Sequence, residues 1–193
     1  DNYHNAKILG LAIYNDTDNY FVPFEVLKDN ATKLGNFNKY TYDVKKLYVA
    51  LKWQGIEMTN IVFDNMIAAY LLDYTIKDDI AYLANNFDYD IPFYETVYGK
   101  NGKYNEVDVI EVAKMASLKA KFIYETYAKL NEELEHEEMK NLYYDIEHPL
   151  AFVLGDMEYN GVYVNKETLI EMGEEFKIKI ELFICPVESS CPS

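Results

Sequence analysis

The sequence predicts an α/β domain in which helices flank a mixed β-sheet. Short β-branched or aromatic segments alternate with amphipathic ones, in the order β-β-α-β-α-β-α. The first two segments, at 7–15 and 20–24, are joined by the turn DTDN and predict a hairpin. An apolar stripe with three- and four-residue spacing, flanked by Met115 and Lys119, predicts one long helix from about residue 106 to residue 137. The stripe comprises Val112, Ala113, Ala116, Ala120, Ile123, Tyr127, Leu130 and Leu134.

The remaining elements follow from local periodicity and from the residues that end helices. In chain order we predict a helix at 25–35, a strand at 38–43, a helix at 44–55, a strand at 59–64, helices at 65–73 and 78–87, a polar loop at 98–105 and, beyond the long helix, a helix within 143–165 followed by a short strand, then a final helix at 166–182.

The charge balance argues against stand-alone nucleic-acid binding. The net charge is −15, and all 18 basic residues are lysine. Arginine is the side chain that pairs in a bidentate manner with phosphate and guanine edges, so its absence weakens any such interface. We expect only weak DNA binding by this chain alone. No apolar run approaches the length of a membrane span, so we expect no membrane partner.

The only cysteines, Cys185 and Cys191, lie within the last nine residues. A chain body without cysteine is typical of a reducing cytoplasm, which is the compartment we expect. Two prolines and two adjacent serines break the helical pattern near the end, so 183–193 is predicted to be disordered or added in cloning. The sequence does not begin with methionine, and we expect it to be a piece of a longer protein.

Four stretches of the sequence are specific enough to compare with a known family: ILGLAIYNDTDNYFVPF, YTYDVKKLYVALKWQGIEMTNIVFDNMIAAYLLD, ETVYGK and IEHPLAFVLGDMEYNGVYVN. The first three resemble the 3′–5′ exonuclease-type domain of bacterial DNA polymerase I (family A), and the last resembles the start of its polymerase domain. The resemblance implies a ribonuclease-H-like 3′–5′ exonuclease fold at 1–137, with its first strand and first motif upstream of residue 1. A helical segment at 138–182 would then begin the polymerase domain.

The resemblance also implies where a proofreading site would lie. Active family members hold two metal ions with carboxylates from three motifs. The first, Asp-x-Glu, would lie upstream of Asp1; the second falls on Asp43; the third, a Tyr and an Asp four residues apart, falls on Met115 and Lys119. A lysine repels a divalent cation and methionine offers no oxygen ligand. We therefore predict a degenerate site, without catalytic residues, metal or cofactor.

Three functions remain open at this point. The first is a non-catalytic exonuclease-like domain that supports the polymerase domain of the same chain, with Mg²⁺ and DNA bound by the parent polymerase in replication and repair. The second is an active, two-metal proofreading exonuclease that uses Asp43 as a metal ligand and Glu111 or Glu125 as a substitute acid. Helical geometry disfavours this, since Glu125 lies about 240° around the helix from Lys119. The third is an acidic protein-interaction module.

Other polar residues have simpler interpretations. Asp43 and Asp64 each precede a predicted helix, where an aspartate most often caps the amino terminus. The acidic run at 131–140 is interpreted as a solvated helix end. We assign no chemistry to His4, His136, His148, Lys100 or Lys103, because they show no ligand spacing or lie in a polar loop.

Overall fold

The computed structural model describes residues 3–4, 7–77, 79–100 and 103–184. The chain divides into two compact units, Asp1–Asn160 and Gly161–Ser193. The strands are β1 (Gly10–Tyr14), β2 (Asn19–Pro23), β3 (Lys39–Thr41), β4 (Ile61–Asp64), β5 (Gly99–Lys100) and β6 (Lys103–Tyr104). The helices are α1 (Phe24–Leu34), α2 (Val44–Trp53), α3 (Asn65–Leu71), α4 (Ala81–Asn85), α5 (Tyr94–Tyr98), α6 (Val109–His136), α7 (Lys140–Leu142), α8 (His148–Asn160) and α9 (Lys166–Ile184), with a π-helical segment at Tyr143–Glu147.

The strands pair in both orientations, which confirms the α/β class. Strands β1 and β2 form the predicted antiparallel hairpin, and the side chain of Asn15 closes its turn by accepting hydrogen bonds from the backbone N–H groups of Thr17 and Asp18. Strands β3 and β4 are parallel, and β5 and β6 are antiparallel. Within the described residues these pairs form three separate two-stranded sheets rather than one continuous sheet.

Two local predictions were wrong. The stretch predicted as a polar loop at 98–105 contains the β5–β6 pair, which begins at Gly99 with a φ of 83° that glycine adopts without strain. The short strand predicted after Gly161 does not form within the described residues of the second unit, where no other strand is present to pair with it. Helix α5 was not predicted.

Helix α6 has the predicted bounds to within three residues, but only part of the predicted stripe is fully buried. The fully buried positions are Met115, Phe122, Thr126, Leu130 and Leu134. The last two members of the predicted stripe, Leu130 and Leu134, are thus buried as predicted, whereas Ala116, Ala120, Ile123 and Tyr127 are only half-buried. The reason is that α6 packs against α3 on one side and against β1 and β3 on another, and the second side is incompletely covered.

Residues 185–193 lie outside the described residues, and with them Cys185 and Cys191.

The predicted domain boundary at 137/138 stays a prediction. Helix α8, which the resemblance assigns to the start of the polymerase domain, packs against α2 within the first compact unit. Gly155 makes this approach close, because a Cβ at that position would lie 2.7 Å from the Tyr48 ring.

Candidate functional site

A cavity of about 630 Å³ lies between β1, β3 and α6. Its walls are mostly apolar, and Lys119 enters it from α6. The lining comprises every residue of β1 and β3, the flanking residues Asn15, Tyr20, Leu34, Phe37, Asn38, Tyr42, Leu47 and Met58, and the α6 residues Ala116, Lys119, Ala120, Ile123 and Tyr124. This is the position on α6 at which the sequence predicted the degenerate third motif.

Lys119 brings a cation into this cavity. Its side chain is half-buried, and burial lowers the pKa of the Lys119 ammonium. The charge of Asp79 acts to raise that pKa, and the charge of Lys46 acts to lower it. An ammonium at this position opposes the entry of a divalent cation.

Met115 lies elsewhere. The sequence placed it beside the core together with Lys119, but Met115 belongs to the core itself and packs in a cluster with Leu83, Ile91 and Phe122. It is not among the residues that line the cavity. Four residues advance a helix by about 40°, which is enough to turn Met115 into the core while Lys119 points into the cavity.

Asp43 is the amino-terminal cap of α2, as its simpler interpretation predicted. Its carboxylate accepts a hydrogen bond from the backbone N–H of Lys46 at 3.2 Å. Asp43 has a φ of 60°, in the left-handed region that aspartate tolerates better than most residues. Asp43 does not line the cavity, so only Lys119 of the three predicted site positions does so.

Asp64 is the buried acid of this region. It caps α3, accepting from the backbone N–H of Ile67 at 3.0 Å, and it also accepts from the backbone N–H of Val44 and from the Thr41 hydroxyl at 3.1 Å. Burial raises the pKa of Asp64 to about 6, and the hydrogen bonds from Ile67 and Val44 act against that rise. One carboxylate therefore holds together the carboxyl ends of β3 and β4 and the starts of α2 and α3.

Sequence reasoning identified Asp64 only as a cap. Parallel strands end at the same edge of a sheet, so pairing 38–43 with 59–64 would have brought Thr41 and Asp64 together. No such signal pointed to Tyr143. Its buried hydroxyl accepts a hydrogen bond from the Asp64 N–H at 2.7 Å and donates to the Asp64 carbonyl oxygen at 3.3 Å.

The acids proposed as substitutes in an active site lie outside the cavity. Glu111 pairs with Lys114 at 2.7 Å on the exposed side of α6. Glu125 accepts a hydrogen bond from the Tyr89 hydroxyl and lies 3.7 Å from Lys121. Within 3–4, 7–77, 79–100 and 103–184, no three His, Cys, Asp or Glu side chains are grouped as a metal site would require.

The three histidines have separate environments. His4 contacts Glu158 at 2.8 Å and accepts from the Trp53 indole at 2.9 Å. His136 is exposed beside Glu137, and His148 is buried, which lowers its pKa. Lys100 forms an exposed ion pair with Glu95, and Lys103 is exposed. These histidine and lysine side chains do not form a common cluster.

A second polar cluster fastens α8 to α2. Glu158 of α8 forms an ion pair with Lys45 of α2 and accepts a hydrogen bond from the Tyr3 hydroxyl. The hydrogen bond from Lys45 is the largest of the effects that lower the pKa of Glu158 to about 2. Asp156 of α8 pairs in the same way with Lys52, so the start of the region that resembles a polymerase domain is tied to the exonuclease-like fold by two ion pairs.

Comparison with known proteins identifies the fold. The family model described as "DNA polymerase I, ribonuclease H-like domain" matches residues 1–126. This chain belongs to that family. The ribonuclease H-like fold class predicted from the sequence is thereby confirmed over residues 1–126.

Individual relatives cover nearly the whole chain. DNA polymerase I of Bacillus subtilis (strain 168) is 35% identical over 188 residues, which covers 94% of this chain and 21% of that protein. DNA polymerase I of Geobacillus stearothermophilus is 37% identical over 188 residues, covering 94% of this chain and 22% of that protein. The chain therefore spans about a fifth of the length of the curated relatives it matches.

A solved structure shows the same fold. It is the POL domain of Pol1 from M. smegmatis in complex with DNA primer-template and dNTP, with a TM-score of 0.67 and 19% identity. The match covers 88% of this chain and 28% of that chain, so it extends beyond the ribonuclease H-like part, as the predicted helical continuation requires. None of the helices in the described residues is both long and apolar enough to cross a membrane.

Proposed function

We propose that this chain is part of a bacterial DNA polymerase I whose exonuclease-like domain supports the polymerase domain and performs no proofreading. The family match and the relatives named DNA polymerase I support the first half of this proposal. In this proposal the parent protein carries out cytoplasmic DNA synthesis in replication and repair, and its polymerase domain binds DNA and Mg²⁺. This chain itself holds no metal or cofactor.

The position of Lys119 is the main observation in favour of a loss of proofreading. Two-metal phosphodiester cleavage needs several carboxylates that converge on both ions. The α6 position that should supply one of them supplies an ammonium in the cavity, and Met115 is part of the core. Glu111 and Glu125 are bound to other side chains outside the cavity, which weakens the alternative of an active exonuclease.

An exposed apolar face on α8 and the segment before it supports the scaffold role. Its members recur with helical spacing and are each at least 40% exposed, in contrast to Ala151 and Gly155, which face α2. They are Ile146, Leu150, Val153, Leu154 and Met157. A contiguous apolar face of this kind marks a docking surface. We assign it to the remainder of the same protein, because the relatives are about five times as long as this chain.

The scaffold role is tested in the full-length protein with Leu154→Glu. Leu154 and Leu118 are each 44% exposed, on α8 and α6 respectively, so Leu118→Glu is a matched control. Leu154→Glu should place a charge in the interface and shorten the half-life of polymerase activity on heating. Leu118→Glu should not. Equal half-lives for both variants and the wild type would contradict a scaffold role for this face.

A further inference from the structure

We propose that Tyr40 and Tyr127 form a site of oxidative cross-linking, at which a one-electron oxidant joins the two rings through a carbon–carbon bond. The bond would fasten strand β3 covalently to helix α6, to which these residues belong. The inference goes beyond the proposed function and does not depend on whether the protein proofreads.

The rings of Tyr40 and Tyr127 lie closer together and more nearly parallel than those of any other tyrosine pair in the described part of the chain. Their centroids are 3.8 Å apart, and their planes differ by 17°. Aromatic rings more often pack offset or edge to face, with centroids about 4.5–7 Å apart. The stacked arrangement instead places the carbon atoms of one ring against those of the other.

A hydrogen bond between the two hydroxyl groups fixes the orientation of the stack. This hydrogen bond is the largest of the effects that raise the pKa of Tyr40 to about 12. Both hydroxyl groups therefore lie at the same end of the stack, and the ring carbons beside them lie close together as well. In a phenoxyl radical those carbons carry much of the unpaired electron, so they are the atoms at which two such radicals combine.

The reaction removes two electrons and two protons from this pair of phenols. The oxidant takes one electron from each ring, and each hydroxyl loses its proton to water. The two phenoxyl radicals then join through the ring carbons beside the oxygen atoms. The hydrogen on each of these carbons is lost as a proton while the adjacent oxygen gains one from water, which restores both aromatic rings.

The surroundings of the stacked pair favour its reaction over that of neighbouring tyrosines. Both of its rings are half-buried, so a small oxidant can approach rings that are held in place. Tyr124 lies 6.1 Å from each of them, at angles of 46° and 56°, and its hydroxyl donates to the Asp16 carboxylate. Tyr42 donates its hydroxyl to the Lys77 carbonyl oxygen at 3.3 Å. Neither Tyr124 nor Tyr42 faces another phenol in the way that the stacked pair does.

The test is photochemical oxidation of the full-length protein. Tris(bipyridine)ruthenium(III), generated by light, is the one-electron oxidant, and persulfate accepts the electrons. After digestion with trypsin, the expected product is the peptide 40–45 joined to the peptide 122–129, with the mass of the two peptides less two hydrogen atoms. Mass spectrometry should find it as the main tyrosine cross-link within residues 1–184, and the same treatment in concentrated urea should abolish that preference.

Two matched pairs of variants identify the residues, because each pair alters one or the other of two tyrosines in the same tryptic peptide. Tyr40→Phe should abolish the cross-link, whereas Tyr42→Phe should retain it. Tyr127→Phe should likewise abolish it, and Tyr124→Phe should retain it. Circular dichroism shows which variants fold, and either member of the stacked pair is sufficient for the test.

Three results would overturn the proposal. The first is the absence of this cross-link from the oxidised wild type. The second is a cross-link between the same two peptides that survives in Tyr40→Phe or in Tyr127→Phe. The third is an equal yield from the folded protein and from the protein in urea, because the cross-link would then not depend on the stacked arrangement.

Discussion

Replacing Asp64 with asparagine should change the pH dependence of stability. The Asp64 carboxyl is fully buried, and burial raises its pKa from 3.8 to about 6. Between those two values the folded protein keeps a proton on this group that the unfolded chain releases. The stabilisation that results is fully present below pH 3.8 and is lost as the pH rises through 6.

The size of the effect follows from the shift. A rise of about 2 pH units, at about 1.36 kcal/mol per unit, corresponds to about 3 kcal/mol in the free energy of unfolding. About 1–1.5 kcal/mol of this is lost between pH 5 and pH 7.5, a range that lies above the isoelectric point of 4.5. Asparagine does not ionise in this range, so the variant lacks this loss.

The variant should also have a lower free energy of unfolding than the wild type for a reason that does not depend on pH. The asparagine carbonyl can still accept from the Ile67 N–H, but the Val44 N–H then faces an amide that cannot serve both donors. An unsatisfied buried N–H costs about 1–3 kcal/mol. This cost is the same at both pH values, so the total deficit of Asp64→Asn should be about 1–1.5 kcal/mol smaller at pH 7.5 than at pH 5, because only the wild type loses stability over that range.

Urea unfolding followed by circular dichroism at both pH values measures this change. The control is Glu132→Gln, which neutralises an exposed carboxylate on α6 and should leave the pH profile parallel to that of the wild type. If the difference in the free energy of unfolding between Asp64→Asn and the wild type is the same at pH 5 and pH 7.5, the conclusion that burial raises the pKa of Asp64 is refuted.

Three further outcomes are expected. Met115→Tyr should lower the free energy of unfolding by about 1–3 kcal/mol in urea titrations, because Met115 lies in the core and a larger ring overfills it; unchanged stability would place Met115 at the cavity instead. Gly155→Ala should destabilise by a similar amount, since its Cβ would meet Tyr48, whereas Gly173→Ala on α9, with nothing within 4 Å, should be neutral or up to about 1 kcal/mol stabilising. This chain alone should bind single-stranded DNA no more tightly than about 10⁻⁴ M in fluorescence anisotropy at 150 mM salt, given its charge of −15; micromolar affinity would contradict this.

Local signals were sufficient for much of the fold. The turn DTDN predicted the first hairpin, and the long apolar stripe predicted α6, observed at Val109–His136. Both depend on neighbours within one or two turns of the chain, which periodicity and turn chemistry describe. The caps at Asp43 and Asp64 were predictable for the same reason.

The arrangement around the cavity was not predictable from local signals. Helical periodicity shows that α6 has an apolar side. It does not show which of the two adjoining faces of α6 is covered by neighbouring elements. This is why Met115 was placed on a flank and Ala120 in the buried stripe. The burial of Asp64 depends in part on Tyr143, which lies 79 residues further along the chain and carries no sequence signal for that contact.

Release of the 3′-terminal nucleotide is the most direct measure of whether the protein proofreads. The full-length protein is incubated with a 3′-labelled single strand and Mg²⁺ without nucleotides, in parallel with an Asp43→Ala variant purified in the same way. We expect no release by the wild type above that of the variant, because Lys119, which the resemblance aligns with a metal-binding carboxylate of active family members, brings an ammonium into the cavity. Clear 3′–5′ release by the wild type that is lost in Asp43→Ala would contradict it and show that a metal site is assembled around Asp43.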